Sequence, residues 1–243
     1  MIQANRWRTA QKKEKYHWEK VARRISHGVI GQLDWYEWRA GELHKLLGKL
    51  NLDALSNNPR ILEIGSGPIG IINYLRHGVR CAIDPLEDYY KTNPTLNKLR
   101  NNNVCYLKGS GEILPFGNAK LSMVIIDNVI DHTHDPGVVL KEIHRTMDKK
   151  GIMYLSVNVH TPYGAKLHNI LSILKIDTKH PHTYTFESIS KLMGNNGFKI
   201  LYENVEDYKE IRKKNIESND MKSKIKGYSG LSEMIYHAVC KKE

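Results

Sequence analysis

Residues 61–70 read ILEIGSGPIG, and the fold of the whole chain turns on those ten residues. Ile61, Leu62 and Ile64 form a short apolar run that stops at glycine, the pattern of a buried strand feeding a tight loop. Gly65, Gly67 and Gly70 satisfy G-x-G-x-x-G, in which backbone without side chains approaches a ligand closely and the next helix offers its N–H groups. Pro68 suits the first turn of that helix, because its missing N–H would be unsatisfied there anyway. Asp84 lies nineteen residues beyond Gly65, where a carboxylate can accept hydrogen bonds from both hydroxyls of a ribose. The stretch therefore announces a nucleoside-binding turn. By themselves the glycines leave open whether the ligand carries a pyrophosphate.

Working outward, two helical patterns precede the turn. Over residues 6–27, Trp18, Val21, Ala22 and Ile25 recur at helical spacing, and Lys12, Lys13, Lys15, Lys20, Arg23 and Arg24 supply a cationic side. Leu33, Tyr36, Ala40, Leu43, Leu47 and Leu50 mark a second amphipathic helix, ended by Asn57-Asn58-Pro59. After the turn, short apolar strands alternate with helices. Strands are predicted at 60–64, 80–83, 104–107, 121–126, 152–157, 198–202 and 234–239. Helices are predicted at 69–76, 93–101, 136–147 and 186–193. This alternation means βαβ units around a parallel sheet. The expected architecture is thus α/β, a doubly wound, seven-stranded Rossmann-like sheet (residues 58–243) under an N-terminal helical cap (residues 1–57). A basic insert, 205–230, precedes the last strand, and its Lys/Arg-rich stretch 209–226 has no clear pattern.

Composition narrows the class. The chain has 243 residues, 40% of them apolar, enough for a full core. No apolar run approaches the ~20 residues that span a bilayer, and the charged N-terminus has no secretory h-region. Cys81, Cys105 and Cys240 show no C-x-x-C spacing and read as buried, reduced thiols, which points to the cytoplasm. The net charge of +11 is uneven: residues 1–50 carry eleven Lys/Arg against five Asp/Glu, residues 51–204 seventeen against fourteen. A cationic appendage attracts acidic substrates, anionic lipid headgroups or nucleic acid, and equally serves as a solvated face.

Three later stretches bear on the ligand: GSGEILPF (109–116), MVIIDNVIDHTHDPGVVLKEIHRTMDKKG (123–151) and HPHTYTFESISKLMGNNGFKIL (180–201). With LEIGSGPIG and the Asp84 turn, in this order and spacing, they make residues 58–203 resemble the class I S-adenosylmethionine-dependent methyltransferases, most nearly the branch that includes the quinone-biosynthesis enzymes. The resemblance implies S-adenosyl-L-methionine as cofactor. It implies that Gly65, Ser66 and Gly67 line the methionine part, and that Glu63 ties the loop down or reaches the cofactor's amino group through water. It also implies that Asp84 holds the ribose, Glu112 and Ile113 flank the adenine, and Asp127 and Asn128 offer backbone carbonyls towards the methionine amino group. The chain departs from the family at Leu121 and Ser122, where an aromatic-acidic pair is common.

Methyl transfer needs alignment, exclusion of water and, for a hydroxyl or ammonium acceptor, a base. Histidine is the usual candidate near neutral pH. His132, His134, His160, His180 and His182 all fall in loops expected at the carboxyl edge of the sheet, and His160 and His182 are the candidates for catalysis. His132 matches a histidine that shapes the loop in the family. The two H-x-H pairs could share a metal with Asp131 or Asp135, but nothing fixes them at ligand distance, and no metal is expected. The aromatics of KYHW and WYEW can stack on an acceptor or simply pack. Residues 1–50 are expected to cover the carboxyl edge and to serve turnover more than cofactor affinity. The acceptor read from this pattern is a small anionic or polar metabolite, methylated on oxygen or nitrogen. Alternatives are an RNA methyltransferase, although no RNA-binding module is visible, and a non-catalytic or NAD-binding Rossmann protein.

Overall fold

The computed structural model describes residues 2–29, 33–52, 58–173 and 181–243, without the side chains of 2–6 and 173. Two helices come first, α1 (Ile2–Ser26) and α2 (Trp35–Lys49). Then follow β1 (Arg60–Ile64), a 3-10 turn (Ile71–Tyr74), β2 (Val79–Asp84), α3 (Glu87–Thr92), α4 (Pro94–Asn97), β3 (Val104–Lys108) and β4 (Leu121–Asp127). A second 3-10 turn (Ile130–His132) leads to α5 (Pro136–Thr146), β5 (Met147–Val159), α6 (Pro162–Ile173), α7 (Phe186–Asn195) and β6 (Phe198–Val205). The chain closes with α8 (Tyr208–Glu217), α9 (Met221–Ser229) and β7 (Met234–Lys242).

The seven strands form one sheet in the order β3, β2, β1, β4, β5, β7, β6. All neighbours are parallel up to β5, and β7 runs antiparallel between β5 and β6. β1 lies between β2 and β4, so the loops that leave β1 and β4 diverge and open a crevice at the carboxyl edge. β4 is apolar along nearly its whole length because both faces of the sheet are covered. Val124 and Ile126 point into a core with Val139 and Ile143 of α5 and Ile189 and Met193 of α7. Met123 and Ile125 point the other way, into a core with Trp18 of α1 and Leu43 and Leu47 of α2. The N-terminal helices therefore complete one face of the sheet.

Several local expectations change. The helix expected at 69–76 is only a 3-10 turn, because Leu75 is already extended and the chain heads directly for β2. The helix expected at 93–101 shrinks to the four residues of α4: Asn93 is extended before Pro94, as a residue preceding proline tends to be, and its side chain caps α4 by accepting from Thr95 N and Leu96 N. α3 precedes it, unpredicted. The patternless insert is a helical hairpin, α8 and α9, each N-capped by an aspartate (Asp207, Asp220). Among the cysteines only Cys240 is buried; Cys105 is exposed and Cys81 half-buried. The strand register also sets Cys81 beside Cys105, bringing together thiols far apart in sequence.

Candidate active site

The glycine turn after β1 is built around Glu63. This buried carboxylate accepts from Ile71 N (3.1 Å) and Ile72 N (2.7 Å), so it takes the first N–H groups of the 3-10 turn for itself. Burial pushes its carboxyl up to about 8. Gly70 has φ of +72°, and a Cβ there would lie 2.4 Å from Glu63 Oε2; the third glycine makes room for the carboxylate. Gly67, at φ +60°, is roofed by the cap: a Cβ would meet the Tyr36 hydroxyl at 2.7 Å and the Trp18 ring at 3.2 Å. Asp84 closes the arrangement. Its Oδ2 accepts from Gly67 N (2.9 Å) and its Oδ1 from Leu86 N (2.8 Å), and burial raises its carboxyl to about 6. Each oxygen keeps a further lone pair for another donor.

At the end of β4, Asp127 Oδ2 accepts from Arg39 Nη1 of α2 at 2.5 Å, and its Oδ1 from the Ser156 hydroxyl of β5. Asn128 follows at φ +57°, a left-handed conformation asparagine tolerates better than most residues, and its N–H donates to Ser156 O (2.9 Å). The crevice between these loops is a cavity of about 360 Å³. Glu63, Gly65, Gly67, Asp84, Glu112, Asp127 and Asn128 line it, as does His132. Ser66 is buried with its hydroxyl turned to Gly67 O, and Ile113 is 79% exposed outside the lining. Glu112 also accepts from His134 N at 2.8 Å, bracing the loop after β4.

Neither predicted catalytic histidine lines this cavity. His160 is buried just past β5, its ring stacked on His168 with centroids 5.0 Å apart. The His182 ring donates from Nε2 to Thr133 O at 3.0 Å, and the His182 backbone N–H donates to Asp131 O. His180 lies outside the described residues. Among those described, no three His, Cys, Asp or Glu side chains gather as a metal site.

The sequence placed the N-terminal helices over the carboxyl edge as a lid on the acceptor, but did not assign their side chains to this cavity. Gln11, Lys13, Glu14, His17 and Trp18 of α1 line the cavity, with Trp35, Tyr36 and Arg39 of α2. The only signal was the clustering of aromatics in KYHW and WYEW, which is compatible with plain packing. The cap covers this first cavity itself, as well as the edge where an acceptor was expected. A second cavity, about 340 Å³, lies on the other side of the Arg39–Asp127 pair, between α2 and strands β5, β7 and β6. In it the Tyr154 hydroxyl meets His237 Nδ1 at 2.9 Å, and burial lowers the His237 pKa.

The first cavity falls within the ~300–1,000 Å³ range of small-molecule sites. Its floor decides between the two cofactors the glycines allowed. A pyrophosphate draws on the N–H groups that open the helix after the glycine turn, and two of them, at Ile71 and Ile72, already serve Glu63. Carboxylates set around the crevice suit a cofactor that is cationic at its sulfonium and ammonium groups. The sheet order with antiparallel β7, and a turn built for such a ligand, make this protein a class I S-adenosylmethionine-dependent methyltransferase.

The chain belongs to the methyltransferase-domain family, whose profile matches residues 35–203. The match is to the domain as a whole and does not single out the quinone-biosynthesis branch; α1 lies outside it. The chain is similar to the "putative methyltransferase YrhH" of Bacillus subtilis (strain 168), 27% identical over 143 residues that cover 56% of this chain and 78% of YrhH. Among solved structures it is similar in fold to a sarcosine dimethylglycine methyltransferase of Galdieria sulphuraria (TM-score 0.62, 16% identity, 87% and 86% of the two chains). It is also similar in fold to phosphoethanolamine N-methyltransferase 2 of Haemonchus contortus, solved with S-adenosylhomocysteine (TM-score 0.51, 14% identity, 77% and 49% of the two chains). Among the described residues, no helix is long and apolar enough to cross a membrane.

Proposed function

We propose that the protein transfers a methyl group from S-adenosylmethionine to an oxygen or nitrogen of a small, polar or anionic acceptor. The observation that carries this reading is the wall shared by the two cavities. Arg39 and Asp127 line both, so one side can hold the methyl donor and the other the acceptor. The cofactor supplies an activated methyl on sulfur; the residues described here bind, orient and exclude water.

In this reading Asp84 takes the ribose hydroxyls with its remaining lone pairs, and Glu112 flanks the adenine, while Ile113 faces solvent beyond it. The loop Gly65–Gly67, with Ser66 bracing it, admits the methionine part, and Asp127 and Asn128 face its amino group. Arg39, Lys45 and Lys49 of α2 line the acceptor side with Glu42, Asp127 and Glu206, and Arg39 and Lys45 are paired to Asp127 and Glu42, so the wall suits a polar acceptor and leaves Lys49 to meet a carboxylate or phosphate on it. The tautomer of His237 that donates from Nδ1 to Tyr154 keeps a lone pair on Nε2, and the lowered pKa keeps the ring neutral at pH 7. It can therefore take the proton an O–H or N–H acceptor loses. We assign His160 and His182 to positioning, because His182 ties its segment to the loop after β4 and His160 is buried against His168.

The test is a screen with labelled methyl donor against small metabolites, lipids and RNA, followed by variants on the acceptor found. His237→Gln should lower turnover at least tenfold with S-adenosylhomocysteine binding unchanged. Full activity in that variant, with loss in His160→Ala or His182→Ala, would return catalysis to those residues. Label appearing only in RNA would overturn the small-acceptor reading.

A further inference from the structure

The α8–α9 hairpin takes no part in either cavity, yet it carries a surface that methyl transfer does not explain. α9 packs on α8 through Gly227, where a Cβ would come 2.7 Å from Ile216 Cγ1. That close approach turns the far side of α9 outward. Met221, Ile225 and Tyr228, spaced four and three residues apart, share that side and are 69%, 57% and 69% exposed. Lys222 and Lys224 flank this apolar face on either side. Residues 208–229 carry seven Lys/Arg against three Asp/Glu. Beyond α9, the ring of Tyr163 lies against Gly230, and Tyr163 and Ile170 expose a further apolar side of α6.

We propose that this surface docks on an anionic lipid bilayer. An apolar helix face edged by lysines is the pattern of a helix lying in the interface, with the side chains of Met221, Ile225 and Tyr228 among the acyl boundary and the ammonium groups snorkelling to headgroups. Charge complementarity selects this occupant. A protein partner would meet a rim rich in lysine, a residue depleted from protein interfaces. Nucleic acid would bring phosphates to the lysines but leave Met221 and Ile225 exposed to water. The proposal goes beyond the methyltransferase reading and holds for any acceptor.

The experiment is sedimentation of the full chain with vesicles of phosphatidylcholine alone and of phosphatidylcholine with one quarter phosphatidylglycerol. Binding to the anionic vesicles should exceed binding to the neutral ones by about tenfold, and 0.5 M NaCl should weaken it. The exposed variants Met221→Ser/Ile225→Ser/Tyr228→Ser and Lys222→Gln/Lys224→Gln should each lose most of it while keeping their melting temperature and S-adenosylhomocysteine binding. No binding to anionic vesicles, equal binding to both compositions, or undiminished binding by the triple serine variant would overturn the proposal. Loss of S-adenosylhomocysteine binding by the wild type would instead count against the methyltransferase reading.

Discussion

Glu63 shows how one side chain sets both local structure and chemistry. Its carboxylate is buried and ties down the turn at Ile71 and Ile72, yet burial makes ionisation costly and lifts its pKa from 4.5 to about 8. Asp84 is lifted in the same direction, to about 6. Folded-state values above the unfolded ones mean that the native protein holds protons the unfolded chain has released. The stability from these protons is fully present below pH ~4 and is lost as pH rises through 6 and then 8, at up to ~1.4 kcal/mol per pH unit for each group. Chemical denaturation of the ligand-free protein at pH 5, 6.5 and 8 should show the decline. Glu63→Gln should flatten it between 6.5 and 8; an unchanged slope would mean that Glu63 ionises normally in place. A cationic ligand favours the ionised carboxylates, so affinity for S-adenosylmethionine should rise over the same window more than affinity for neutral-sulfur S-adenosylhomocysteine.

At the scale of elements, α1 matters most. Its periodicity announced an amphipathic helix with a cationic side, and its apolar side does pack, through Trp18, Val21 and Ala22, on the sheet. Lys13, Glu14 and His17 then fall over the glycine turn, and Trp18 donates to Glu14 Oε1 at 2.8 Å, fixing both in the roof. Deleting residues 1–27 should therefore cut S-adenosylhomocysteine affinity at least tenfold, about 1.4 kcal/mol. The sequence alone had suggested that this deletion would affect turnover more than cofactor binding. Calorimetry on the truncated chain decides: unchanged affinity with lost turnover would restore the earlier expectation.

For the whole molecule, the sheet order sets the crevice between the loops after β1 and β4, and the two helical layers close it on either side. A ligand that binds only the folded state stabilises it by mass action, ~2.7 kcal/mol at a hundred times its Kd. S-adenosylhomocysteine should raise the melting temperature accordingly, and nicotinamide dinucleotides should not, because Glu63 holds the N–H groups of Ile71 and Ile72 at the helix opening where a pyrophosphate would bind. A shift with the dinucleotide alone would contradict that account of the turn.

What the sequence determined by itself was local in origin: the strand before the glycines, the alternation of strands and helices, and the acidic residues at strand ends. These follow from periodicity and turn chemistry, which act over a few residues. Seven strands fell where apolar runs stood, and Glu63, Asp84, Asp127 and Asn128, named from the family resemblance, line one crevice because they stand at strand ends on the carboxyl edge. The tertiary structure alone decided who pairs with whom. Arg39 reaches Asp127 across 88 positions of sequence, and Tyr154 reaches His237 only because β7 inserts antiparallel beside β5. Cys81 meets Cys105 through strand register alone. The helix expected at 69–76 shrank to one turn because Leu75 is already extended and the chain heads from there to β2. Such contacts depend on how packed layers register against each other over long separations, and no local pattern in the chain encodes that.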